Sequence, residues 1–315
     1  MGAVFFTQKF ALRGIRDIIQ RKNFFRLKGD SKMNLKKGAS VLATCVMAAA
    51  LFTGCGGGST PAQNSEDIKI GTIKYLNVTE TTMDELIKKA EEEANIKLST
   101  HATTFYDSLP LLQMGLESGS VEEASTYKCV ADYLIARNPK VEIAGGHNPA
   151  HLSDNFCFAM RAADAELKNK IDAALGAMKD DGTLDSLVKT YITDLKGAED
   201  PPAVTIEKID GAETLKIGVT GDLPPLDLVL ANGQVAGFNT AMLAELGKRL
   251  NRNIEIVQID SASRAAALTS NQIDVSFWAV VPASADMPID IDKPEGVEVS
   301  TPYFRDEIVH IQLKK

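Results

Sequence analysis

The sequence predicts an α/β protein of two lobes, each a mostly parallel sheet flanked by helices. Two observations carry this. Short apolar runs of β character alternate with helical periodicity twice along the chain, with connections short enough to favour parallel pairing. A stretch containing Gly197, Pro201, Pro202, Asp210 and Gly211 separates the two blocks. The 261 residues after Gly54 suit two lobes better than one small domain.

The elements follow in order. Residues 1–32 are basic, with scattered Phe, and read as an over-extended start. Residues 33–54 have the grammar of a secretory leader. Asn34 to Lys37 is a positive region, Ala39 to Leu51 an apolar core, and Phe52-Thr53-Gly54-Cys55 a small-residue end. That core is too short to span a bilayer comfortably. Residues 55–66, opening with three glycines after Cys55, form a flexible tether.

In the first block, Ile68 to Ile73 reads as a strand. Thr82 with Glu85 makes a capping box for a helix running to Ala94. Lys97 to Phe105 is a strand, and Ser108 caps a helix with Pro110 in its first turn and Gly119 beyond its end. Val121 to Thr126 is a strand, Cys129 to Arg137 a helix and Val141 to Ile143 a strand. After a loop, Asn155 to Met160 is a returning strand. Asp164 caps a helix reaching Met178, Gly182 stops it, and Thr183 caps a last helix to Tyr191. The second block opens with the strand Leu215 to Val219 and a Gly/Asp/Pro/Pro loop. A polar hairpin turning at Asn232-Gly233 follows, then a helix opened by Asn239. Further strands are Ile254 to Ile259, Ile273 to Val280 and Glu307 to Leu313, with a short helix at Ser261 to Ser270.

Ten of the 34 Lys/Arg but only two of the 42 Asp/Glu lie in residues 1–54, so the remainder carries a formal charge of −16. That balance excludes nucleic acid and adsorption along an anionic membrane surface. Of four cysteines, Cys45 falls in the leader and Cys55 at its end. Cys129 and Cys157 are either a bridge or two buried thiols. His147 and His151 flank Pro149, which spoils helical i,i+4 metal spacing. No nucleophile elbow, Cys-x-x-Cys or His-Glu-x-x-His appears. No cofactor, metal or catalytic set is expected, and the chain reads as a binding protein rather than an enzyme.

Phe52 to Cys55 resembles a bacterial lipobox, which implies a diacylated Cys55 and an extracytoplasmic protein touching the membrane through that lipid only. The second block resembles the first lobe of the family 3 solute-binding proteins of ABC importers, the polar amino-acid receptors. Leu215-Lys216-Ile217-Gly218-Val219, Gly221-Asp222-Leu223-Pro224-Pro225, Gly237-Phe238-Asn239, Lys248-Arg249-Leu250, Ala267-Leu268, Ile273-Asp274 and Ser300-Thr301-Pro302-Tyr303-Phe304 carry it. Phe158 to Arg161, Ala165 to Leu167 and Asp181 to Leu184 resemble the closing signature of that family's second lobe. The resemblance therefore implies a two-lobed, periplasmic-binding-protein-like (type II) fold in circularly permuted order. Residues 67–154 form the second-lobe equivalent, 155–195 a return strand with C-terminal-type helices, and 196–214 the linker. Residues 215–299 form the first-lobe equivalent and 300–315 a hinge-crossing strand. The alternative is two degenerate receptor copies.

The family holds its ligand's carboxylate with an arginine just after the strand ending at Val280, where this sequence has Pro282-Ala283-Ser284-Ala285-Asp286. Its ammonium-binding aspartate falls near Tyr127. Both anchors are missing, so a small polar or aromatic molecule is expected rather than an ordinary amino acid. Ligands in open α/β folds sit at the carboxyl ends of strands. The candidates there are Asp222, Leu226, Asn239, Arg264 and Trp278 from one lobe, and Asn77, Thr79, Thr126 and Tyr127 from the other. Each has a plain structural reading beside the functional one. Trp278 is core or a stacking platform; Asp222 is a turn cap or an acceptor; Arg264 is a solvated cation or the missing anchor. Asn239 reads first as a helix cap. Expected partners are the small-molecule ligand and an ABC permease, with the receptor a monomer. A ligand-sensing lipoprotein and a small-molecule enzyme on the same fold are the alternatives.

Overall fold

A computed structural model describes residues 68–78, 102–145, 153–195, 199–283 and 292–315. Lobe A begins with β1 (Lys69–Ile73) and β2 (Ala102–Tyr106), then α1 (Leu109–Glu117), β3 (Glu123–Tyr127), α2 (Lys128–Arg137) and β4 (Val141–Ile143). The chain then crosses on β5 (Ser153–Arg161) and adds α3 (Ala165–Asp180) and α4 (Thr183–Val188). Lobe B continues with β6 (Thr214–Val219), β7 (Asp222–Leu223), β8 (Asp227–Val229), β9 (Val235–Ala236) and α5 (Phe238–Leu250). After these come β10 (Asn253–Gln258), α6 (Arg264–Thr269), β11 (Val275–Pro282), β12 (Val297–Val299) and β13 (Phe304–Leu313).

The two lobes repeat one pattern. In lobe A the order is β2-β1-β3-β13-β4, with β13 antiparallel to both neighbours. In lobe B it is β10-β6-β11-β5-β12, with β5 antiparallel to both neighbours. Each lobe thus receives its fourth strand from the segment that leaves the other lobe. The two crossing strands also pair with each other, Phe304 opposite Phe156 and Arg305 opposite Asn155. A three-stranded ribbon, β7-β8-β9, sits off the end of β6, and its hairpin turns at Gly233 (φ +81°).

Apolar alternation explains the burial. Ile217 and Val219 of β6, Val275 and Phe277 of β11, and Phe156, Phe158 and Met160 of β5 are buried under Met242, Leu243 and Leu246 of α5. Rings continue the core along the crossing strands. Tyr127 meets Phe156 edge-on at 4.5 Å, Phe156 meets Phe304 at 5.3 Å, and Phe304 meets Phe238 at 5.2 Å. Helices α3 and α4 lie on lobe B, where Arg249 of α5 reaches Asp181 (2.7 Å) and Thr183 (3.0 Å). The linker is docked as well: Asp200 binds Arg137 of lobe A at 2.6 Å, and Val204 N donates to Val235 O of lobe B.

Element bounds match the expected strands and helices to within a few residues wherever they are described. Several capping expectations do not hold. Helix α5 opens at Gly237 (φ +103°), because an added Cβ there would come within 2.7 Å of Leu226 O; Asn239 is already inside the helix. Asp164 stands at the start of α3 but makes no cap bond, its carboxylate being drawn to Arg161 Nε at 2.7 Å. At α4 the capping oxygen is Asp181 Oδ1, which accepts from Thr183 N at 3.0 Å. Cys129 and Cys157 are both free and buried. The leader with Cys55, the tether, the Thr82–Glu85 box, Thr79, His147 and His151 lie outside the described residues. Among the described residues no helix is long and apolar enough to cross a membrane.

Candidate functional site

The site lies where the carboxyl ends of β1, β3 and β11 meet the crossing strands. It is a cavity of about 10 Å³, room for about one water, lined by Thr72, Tyr75, Ser125, Thr126, Tyr127, Leu223, Trp278 and their apolar neighbours. Four hydrogen bonds draw the lobes together around it. Asp222 Oδ2 accepts from Leu109 N, the first residue of α1, at 3.2 Å. Asp292 Oδ1 accepts from Asn77 N at 2.8 Å, Arg264 Nη2 donates to Lys74 O at 3.1 Å, and Ser261 N donates to Asp107 O at 3.3 Å.

Trp278 holds the centre. Strand β11 shifts register between Ser276 and Ala279, and at this one-residue bulge Trp278 is twisted to φ +61°. A bulky side chain pays about 1–2 kcal/mol to sit there, a conformation that turns the indole out of the strand's alternation. Its ring packs edge-on to Tyr127 at 6.0 Å, lies 6.3 Å from Tyr75, and takes the Arg264 guanidinium over its face at 4.4 Å. The indole N–H is buried without a partner among the described residues.

Arg264 is fully buried. Its guanidinium donates to Ser261 O, Phe277 O, Trp278 O and Lys74 O, and among the described residues no carboxylate pairs with it directly. Burial lowers its pKa to about 10, against the opposing fields of Asp292 and Asp227. Two buried carboxylates, Asp292 and Asp227, act on it, and a third, Asp154, stands within the field of Asp292. Asp154 accepts from Tyr127 Oη at 3.0 Å, and desolvation pushes it up to about 7. Asp292, bonded to the backbone amides of Asn77 and Val280, is pushed by burial to about 6. Asp227, bonded to Gly221 N and Thr220 Oγ1, is pushed by burial to about 7. Asp222 is raised by burial despite the amide of Leu109. Burial and the field of Asp154 together raise Tyr75 and Tyr127 above the ordinary phenol range.

Of the residues singled out from sequence, Thr126, Tyr127 and Trp278 line the cavity, and Arg264 stacks on its wall. Asp222 and Asn77 stand at the rim, each in a cross-lobe hydrogen bond. Leu226 and Asn239 are wholly buried and do not line the cavity. Arg264 is no solvated cation, and the four carbonyls occupy it. Sequence reasoning missed Tyr75, Thr72, Asp154 and Asp292. The position of Tyr75 just beyond the end of a strand was a signal for the first; Asp292, in a loop after prolines, had none. Among the described residues no group of three His, Cys, Asp or Glu is arranged to hold a metal ion.

No curated protein sequence matches the chain. Among solved structures, a zinc-bound ligand-binding component of an ABC-type import system from Staphylococcus aureus is 13% identical. It aligns over 79% of this chain and 66% of its own, with a TM-score of 0.40. The aliphatic sulphonate-binding protein SsuA from Escherichia coli is 10% identical over 80% of this chain and 62% of its own, with a TM-score of 0.32. A methionine-binding lipoprotein of Bacillus subtilis, titled putative, is 11% identical over 80% and 85%, with a TM-score of 0.36. The chain thus spans just under two thirds of the length of the first two. None of these scores reaches 0.5. Residues 215–312, about a third of the chain and the unit that supplies Asp222, Arg264, Trp278 and the crossing strand β13, match the model of bacterial extracellular solute-binding proteins, family 3.

Proposed function

We propose that this chain is an extracytoplasmic receptor, lipid-anchored through Cys55, that closes two lobes around a small polar or aromatic molecule and delivers it to an ABC permease. The observation that carries the reading is Trp278, held at a strained φ of +61° on the wall of an interlobe cavity, with its indole N–H unpartnered. Strain of this kind persists where the surroundings overdetermine it, and binding sites are where it collects. A cavity of about 10 Å³ is too small for any solute but water, so entry requires the lobes to part. The paired crossing strands Asn155 to Phe158 and Phe304 to Ile308 are the natural hinge. Ligand then favours closure by the contacts it makes only in the closed state.

The chain order is that of a circular permutation. In support, α3 and α4 follow the first block in sequence yet pack on α5 of the second, and residues 199–213 lead from them to β6. Chain ends that are neighbours on a surface tolerate such rejoining.

Trp278 is the only tryptophan, so its emission reports on the cavity directly. A thermal-shift screen of the full-length chain against amino acids, amines, nucleobases and aromatic acids, with Trp278 fluorescence as second readout, tests receptor function. A ligand that stabilises the protein and shifts the emission supports it; stabilisation with the emission unmoved, and affinity unchanged in Trp278→Ala, would refute this site. Retention of Cys55→Ser at the membrane would refute the anchor. Solute uptake that is undiminished without the protein would refute delivery.

A further inference from the structure

The buried charges around the cavity do not balance. Among the described residues, the buried cation Arg264 lies in the field of Asp227 and Asp292, and a third carboxylate, Asp154, is bonded to Tyr127; all three carboxylates are at least 95% buried. Buried ions are stable only when paired or hydrogen-bonded, and Arg264 spends its donors on backbone carbonyls rather than on any of them. Asp227 has its hydrogen bonds within lobe B, from Gly221 N and Thr220 Oγ1. Asp154 and Asp292 instead share the neighbourhood of the two cavity phenols. Both act on Tyr75 and Tyr127, and Asp292 raises Asp154. Tyr75, Tyr127 and Trp278, which line the cavity, offer π-faces, and Thr72, Ser125 and Thr126 add hydroxyl-bearing side chains to the wall. Aromatic faces with carboxylates behind them attract an organic cation. Among the described residues no Lys or Arg lines the cavity, and the guanidinium that would clamp a carboxylate already serves Ser261, Phe277, Trp278 and Lys74.

From this we infer that the ligand is a primary organic amine without a carboxylate, its ammonium directed to Asp154 and Asp292 and its body held among Tyr75, Tyr127 and Trp278. The inference rests on the receptor reading above and deepens it. Three N–H donors suit an ammonium to the acceptors present: the Asp154 carboxylate, which takes one bond from Tyr127 Oη, and the hydroxyl groups of the cavity-lining Thr72, Ser125 and Thr126. The raised pKa of Asp154, about 7, and of Asp292, about 6, come first from burial, which is the condition an entering cation would relieve.

The test uses the full-length chain at neutral pH with matched probes: phenethylamine, phenylalanine and 2-phenylethanol, and putrescine beside ornithine, with choline as a quaternary comparison. Melting temperature and Trp278 emission are both read. The amines should raise the melting temperature and move the emission, the amino acids and the alcohol should bind at least tenfold more weakly, and choline should fall below the primary amines. Asp154→Asn and Asp292→Asn should each weaken amine binding at least tenfold. Because Asn removes a charge that burial penalises, neither should lower the melting temperature of the unliganded protein by much, and Trp278→Phe provides a second variant with the ring kept and the N–H removed. Binding of the amino acid or the alcohol on equal terms, or unchanged amine affinity in Asp154→Asn, overturns the inference and leaves the receptor reading standing. A panel in which no probe moves either readout overturns both.

Discussion

Replacing Arg264 by Met separates the two tasks of one side chain. The guanidinium is fully buried and donates to four backbone carbonyls, three in lobe B (Ser261, Phe277, Trp278) and one in lobe A (Lys74). A hydrogen bond from a charged donor contributes about 1.5–3 kcal/mol, and a carbonyl stranded in the interior costs about 1–3 kcal/mol. Against these losses stands the desolvation that a buried cation no longer incurs, several kcal/mol. The residue is a net destabilisation on the order of 3 kcal/mol, because methionine fills a similar volume but satisfies no carbonyl. About 1.5 kcal/mol of the gross loss belongs to the bond that crosses to Lys74, which under the proposed lobe closure amounts to a roughly tenfold shift in the closed-to-open ratio. Arg264→Lys should lose nearly as much, since a single ammonium cannot fork across segments as far apart as Lys74 and Phe277. Urea denaturation reads the stability, and the radius of gyration in solution reads the opening. Denaturation of Arg264→Met within 1 kcal/mol of the parent, or a lysine variant equal to the parent, would show that the four carbonyls do not depend on this fork.

Three further outcomes follow from the geometry. Asp154 and Asp227 near 7 and Asp292 near 6 are all raised from 3.8 by burial. The folded state therefore binds their protons more tightly than the unfolded chain, and their contribution to stability falls as pH rises from about 4 to 7. Thermal unfolding should accordingly shift upward as pH drops from 8 to 5, by on the order of 2 kcal/mol per group; a flat or inverted profile contradicts their burial. Asp222→Ala removes the carboxylate from the start of α1 without touching the core, so affinity should drop about fivefold, with unfolding changed by less than about 1 kcal/mol; calorimetric titration with any ligand found decides it. Gly237→Ala places a methyl carbon 2.7 Å from Leu226 O at φ +103°, and a loss above about 2 kcal/mol is expected in denaturation; an unchanged midpoint would mean the β9–α5 corner can relax.

Much of the fold was legible because it is periodic. The runs around Ile70, Ile217, Val275 and Ile311 alternate with helices whose apolar faces recur every three to four residues, and breakers at Gly119, Gly182 and Gly233 separate them. The misreadings share a cause. Asn239 and Thr183 have the side chains of helix caps, but the caps are set by backbone at Gly237 and by Asp181, which chemistry alone does not rank. The site was legible only in part. Tyr127 is conspicuous at the end of its strand and Trp278 as the only tryptophan, though it sits at a bulge inside β11 rather than at its end; the burial of Arg264 depends on Lys74, 190 residues away, and Asp292 reaches Asn77 from 215 residues away. Partners that remote leave no trace in local pattern.

The exchange of strands between lobes bears on how the chain is made. Lobe A is begun by β1 to β4, all before residue 144, yet its sheet lacks the strand between β3 and β4 until β13 arrives at residues 304–313. Lobe B, whose β6 begins at residue 214 against residue 69 for β1, can close its own sheet once β12 is reached, because β5 was synthesised long before. The half begun first therefore finishes last, and for about 160 residues of growth its β3 edge has no partner on that side. Loop closure over such a separation is slow, and an open strand edge invites pairing with another chain. During synthesis this edge waits for a companion, and β13 is the one it is built to receive.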